Sequence, residues 1–159
     1  MYLPLLHTHS ALRWVALALL VASSVAALSA WLGKKPLAKS HEKLGLFAMI
    51  ALDVQTTLGL VLYAVSPLLT AFFGDPKANM KVPGLRFFAV EHATLMLLAV
   101  AAVHVGRILS KRAPEAGKAR PLAVGLTLSL VLVLAGIPWP GLPHGRPLLP
   151  GPRAATSSV

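Results

Sequence analysis

The chain has 159 residues, 56% of them hydrophobic and 13% charged, with a mean hydropathy of +0.72. A soluble domain averages about 45–50% apolar and about 25% charged residues. So few charges cannot clothe a water-facing surface, and no polar stretch is long enough to form a large soluble domain. The chain has no cysteine. That excludes disulfides, covalent c-type haem, iron–sulfur clusters and thiolate zinc, and leaves histidine, carboxylate and methionine as metal ligands. The net charge is +10, from 15 Lys+Arg against 5 Asp+Glu. These cations lie in connections between apolar runs, without interleaved aromatics. They read as topology signals facing anionic lipid headgroups, with no nucleic-acid partner.

Four apolar segments pass the length of about 20 residues that a membrane helix needs. The first is expected from Ser10 to Trp31, the second from Leu44 to Ser66, the third from Phe87 to Leu109 and the fourth from Leu122 to Ile137. Pro121 suits the first turn of the last helix, and Gly136 and Pro138 close it. The fold class is therefore all-α, a four-transmembrane-helix up-down bundle. The transmembrane domain is expected over residues 1–140 and a Pro/Gly/Ser-rich flexible tail over 141–159. Lys34, Lys35, Lys39 and Lys43 lie in the first connection, and Arg107, Lys111, Arg112, Lys118 and Arg120 around the third. That bias predicts a multi-pass protein of the bacterial inner membrane with both termini periplasmic. The connection from Pro67 to Arg86 is long and reads as irregular.

Ionisable residues inside a span are costly, so each is a functional candidate. On the first helix His9, Ala16, Ser23 and Ala30 recur every seven residues, a small-residue seam with an imidazole at its outer end. His7 is expected just before that helix. On the second helix His41, Ala48, Gln55 and Leu62 share a face beside Gly45 and Gly59. Asp53 lies mid-span, as a proton relay, a ligand anchor or an interhelical hydrogen bond. On the third helix Glu91 and His92 lie near the outer end, and His104 near the inner end. Twelve residues at 1.5 Å rise separate His92 and His104 by roughly 18 Å, too far to share one metal.

In an up-down bundle the first and third helices are diagonal partners. His9 and His92 can therefore face each other across the core and hold a flat haem between two imidazoles. His41 and His104 form a second candidate pair, for one or two haem b groups in all. The match in depth is imperfect, since His9 counts nearer the outer surface than His92 and His41 is interfacial. Arg13, one turn after His9, suits a haem propionate.

HTHSALRW at the start, DVQTTLGLVLYAVSP in the second helix, RFFAVEH opening the third and IPWP ending the fourth resemble a family of small four-helix bacterial membrane proteins labelled cytochrome b-like. The short QTTLGL stretch is also similar to the glutamine–glycine helix of haem A synthase half-bundles. The first resemblance implies a haem b electron carrier, with His9 and His92 in the matching blocks. Function is thus expected to be membrane electron transfer, as a carrier or subunit rather than a stand-alone enzyme. Quinol, a larger redox complex or a homo-oligomer are the expected partners, besides the lipid bilayer. Two alternatives fit the same residues. One is an outer-face copper site of His7, His9 and His92; the other is a cofactor-free accessory subunit.

Overall fold

The computed structural model describes residues 2–148. Helix α1 spans Tyr2–Leu32, starting well before the expected Ser10. Pro4 does not prevent this, because the first-turn N–H groups of a helix have no intrahelical acceptor to lose. Both His7 and His9 are consequently helical. The α1 exit is a left-handed Lys34 (φ 52°), with Gly33 and Lys35 donating to the Ser29 and Ala30 carbonyls. Helix α2 spans Lys39–Val65 and carries Glu42 in its first turn, where the helix dipole favours an anion. It stops at Ser66, which is extended as the residue before a proline tends to be.

The connection expected to be irregular is helical in pieces. Helix α3 spans Pro67–Gly74, α4 Pro76–Asn79 and α5 Pro83–Arg86. Each begins at a proline, the residue whose fixed φ and missing N–H suit a first helical position. The prolines that read as breakers are starters here. Asp75 caps α4 by accepting from the Ala78 N–H at 3.0 Å. A π-helical turn, Phe87–Glu91, then joins α5 to α6, His92–Arg112, making Pro83–Arg112 one continuous span. A 3-10 turn, Glu115–Gly117, leads into α7, Ala119–Gly136.

Helix α1 packs on α2 and α7, and α6 packs on α7 and, most loosely, on α2. Helices α1 and α6 are thus the diagonal pair of an up-down four-helix bundle. The seam on α1 faces the core as expected, with Ala16, Ser23 and Ala30 buried alongside Leu20 and Ala27. Ala48, Gln55 and Leu62 do the same on α2. The α6–α7 crossing is closest at Gly106 and Gly125, which face each other backbone to backbone. Outside, Val21, Val25, Phe47, Val61, Leu98, Ile108, Leu128 and Val131 are exposed. Four helices are long and apolar enough to cross a membrane, and the described residues contain no strand. An all-α bundle with this apolar exterior belongs in a bilayer, as a multi-pass membrane protein.

The end carrying Tyr2 and Leu148 is called the terminal end below. There residues 137–148 lie across the bundle. The Arg13 and Trp14 side chains both donate to the Leu148 carbonyl at 2.9 Å, and His144 stacks on Phe87 at 3.6 Å. Residues 149–159, the remainder of the expected tail, lie outside the described residues. At the other end Arg107 donates to the Glu42 carbonyl at 3.0 Å, and Lys118 pairs with Glu115 and Glu42.

Candidate functional site

His9 on α1 and His92 on α6 meet across the diagonal near the terminal end. Their ring centroids are 6.5 Å apart and their planes cross at 76°. The offset in depth expected from residue counting does not keep the rings apart. His92 is held by its neighbours. Its Nδ1 lies 2.7 Å from the carbonyl oxygen of Gly136, the last residue of α7. A carbonyl only accepts, so Nδ1 carries the proton and Nε2 carries the lone pair. The acceptor is on hand because the last carbonyls of a helix have no intrahelical donor. Phe87 and Phe88 of the π turn flank the same ring at 5.9 and 6.0 Å. Tyr63 ties that turn to α2 by donating to the Ala89 carbonyl at 2.8 Å.

His9 is placed by α2. The Gln55 amide donates to the His9 carbonyl at 2.8 Å. Gly59 leaves the ring its space: a Cβ there would lie 3.2 Å from His9 Cε1. The His9 Nδ1, the Gln55 Oε1 and the Arg13 Nε are all buried without a hydrogen-bond partner. The three residues line one cavity of about 160 Å³, together with Gly59, Tyr63 and His92, with Arg146 at its mouth. Its floor is apolar, formed by Leu52, Met96 and Ala99. Arg146 also lies over the Phe88 ring at 4.4 Å. The cavity adjoins the α2–α6 seam, the most loosely packed of the bundle.

The other sequence candidates fall elsewhere. The expected inner pair of His41 and His104 is not formed. His104 instead faces Asp53, its Nε2 lying 3.5 Å from the carboxylate, while the buried His41 Nδ1 has no partner. His7 is exposed. Two residues along one helix turn about 200°, so continuing α1 back to Tyr2 sends His7 and His9 to opposite sides. Among the described residues no three His, Asp or Glu side chains come together, so the trio proposed for copper is not assembled. Glu91 pairs with Arg86 at 2.6 Å on the surface.

Sequence reading missed Arg146, Tyr63, the two phenylalanines and the Gly136 carbonyl. Only Gly136 left a signal, since a glycine just before Ile-Pro marks a helix end whose carbonyls are free. What the fold and site define is a membrane-spanning four-helix bundle with two imidazoles on its diagonal, above an apolar floor and beneath two arginines. No protein-family model, curated protein or solved structure matches the chain.

Proposed function

We propose that the chain is a b-type cytochrome-like electron-transfer protein, with one haem b held between His9 and His92. The observation that carries this reading is the facing of two imidazoles 6.5 Å apart on diagonal helices. Metal–imidazole bonds of about 2.0–2.1 Å on either side of one ion put ring centroids roughly 6–6.5 Å apart. The donor set fits as well. His92 already has the tautomer a ligand needs, fixed by the Gly136 carbonyl in the way that a hydrogen bond to the far ring nitrogen fixes metal-bound histidines. His9 is held instead through its backbone, whose carbonyl accepts from the Gln55 amide at 2.8 Å.

Haem bound there supplies a one-electron couple. The chain's own residues do the rest. Gly59 keeps side-chain bulk off His9, and Leu52, Met96 and Ala99 keep water from the floor. Arg13 and Arg146 offer cationic donors for carboxylates at the mouth. A haem held by both imidazoles would have no ligand position left for oxygen, which suits electron transfer rather than oxygen chemistry. The cation bias supports a bacterial inner membrane location with the terminal end periplasmic. The electron partner belongs to the class of quinols or larger redox complexes.

The test is the visible spectrum and iron content of the purified full-length protein. Reducible α and Soret bands with iron are expected. His9→Ala or His92→Ala should abolish them or convert them to a high-spin form, and His41→Ala should leave them. An intact low-spin spectrum without both His9 and His92 overturns the assignment. Purified protein without iron overturns it in favour of the cofactor-free subunit.

A further inference from the structure

Asp53 on α2 and His104 on α6 lie outside the cavity, and the haem reading makes no use of them. The His104 Nδ1 donates to the Val100 carbonyl one turn back, at 3.0 Å. That bond fixes the tautomer, because the carbonyl can only accept. In the neutral ring the Nε2 therefore presents a lone pair, and it presents it to Asp53. An ionised carboxylate is itself an acceptor only. Two acceptors thus face each other at 3.5 Å, longer than an N–H···O bond of about 2.7–3.2 Å. Either the pair holds a proton between its own atoms or a group from outside donates into the gap. Thr57 does not, since its hydroxyl donates to the Asp53 backbone carbonyl at 2.8 Å.

The pair is also open. The side chains are 40% and 39% exposed, within spans whose neighbouring residues Val54, Leu97 and Val105 are exposed and apolar. What reaches this point laterally is therefore dissolved in lipid, because the hydrocarbon core holds no water to serve as donor. The pair bridges α2 and α6, the helices that pack most loosely, so a flat molecule meets least resistance there. A phenol-type hydroxyl suits the site better than an aliphatic alcohol, because the more acidic O–H makes the stronger bond to a carboxylate.

We propose that Asp53 and His104 form a lateral binding site for a lipid-soluble hydroquinone-class molecule, one ring hydroxyl of which donates into the gap between the carboxylate and Nε2. The site is independent of haem, so it can be tested without it.

The test uses the full-length protein in lipid nanodiscs, with empty nanodiscs as the partition control. The probes are a decyl-chain benzohydroquinone and its dimethyl ether, the same molecule without O–H. Equilibrium dialysis should show the hydroquinone bound at least about tenfold tighter than the ether, the scale of one hydrogen bond to a charged group. Asp53→Asn and His104→Gln each introduce an amide N–H that can donate across the gap and close the pair internally. Each should lower hydroquinone affinity about tenfold while leaving ether partitioning unchanged, and either variant serves if the other fails to fold. Equal binding of the two probes, or undiminished hydroquinone binding by the folded variants, overturns the proposal. The donor between the two side chains is then a proton held by the pair itself.

Discussion

Placing a methyl group at the α6–α7 crossing is the sharpest test of the packing. A Cβ on Gly125 would lie 2.6 Å from the Gly106 Cα and 2.7 Å from the Ala102 carbonyl oxygen. A Cβ on Gly106 would lie 2.7 Å from the Gly125 Cα and 2.8 Å from the Pro121 carbonyl oxygen. Carbon atoms pack best at about 3.5–4.0 Å, so the helices must part by roughly 1 Å. Every obstacle is backbone and cannot rotate away. Overpacking costs about 1–3 kcal/mol, while alanine's better helix propensity returns at most about 1 kcal/mol. Gly125→Ala should therefore destabilise the bundle by about 1–2 kcal/mol, a factor of roughly 5–30 in the folded-to-unfolded ratio. Gly45→Ala is the control with the opposite sign. Its Cβ would meet only Leu122 and Leu126 methyl groups, the nearest at 3.5 Å, an ordinary contact. It should be neutral or stabilising by up to about 1 kcal/mol. The assay is helical circular dichroism during SDS titration from mild detergent. A Gly125→Ala protein as stable as Gly45→Ala would refute the close crossing.

Gly59→Ala should fold normally yet displace the His9 ring, which a Cβ would approach at 3.2 Å; the check is a shifted visible spectrum with an unchanged unfolding midpoint. Deleting Val90 removes the extra residue of the π turn and rotates α6 by about 100° against α5. His92 should then leave the cavity, read as loss of axial ligation in a protein that still inserts. The chain lacks cysteine, so single cysteines report topology directly. In intact cells Lys77→Cys should react with a membrane-impermeant maleimide and Lys35→Cys should not; the opposite pattern would invert the bundle.

The four spans and their inward faces were legible because hydrophobic length and seven-residue spacing are properties of one helix at a time. His9 opposite His92 was legible because up-down connectivity makes the first and third helices diagonal. Pairings between side chains that lean were not legible. Side chains on a helix tilt toward its own N-terminus. Helices α2 and α6 run in opposite directions, so Asp53 and His104 lean toward each other and meet despite the difference in depth that residue counting gives them. The same counting assigned His104 to His41. The connection was misread for a different reason. Pro67, Pro76 and Pro83 look like breakers when counted, and only their positions at the first residue of α3, α4 and α5 show them as starters. The π turn has no composition of its own.

The distribution of unsatisfied atoms separates packing from function in this bundle. A polar atom buried without a partner costs about 1–3 kcal/mol, and a membrane offers it no water. The hydroxyls of Ser24, Thr127 and Ser129 are buried and unpartnered, yet a hydroxyl in a helix can turn to its own preceding carbonyls. Four buried orphans have no such recourse: the His41 Nδ1 toward the opposite end, and the His9 Nδ1, the Gln55 Oε1 and the Arg13 Nε, which belong to residues lining the cavity beside His92. Elsewhere the chain satisfies its neighbours tightly, with glycine against glycine at the α6–α7 crossing and small residues along α1. It leaves the α2–α6 seam loose, with the cavity beside it and the Asp53–His104 pair spanning it. Three of the four orphans without local recourse thus lie on residues of the cavity to which the proposed function assigns the ligand.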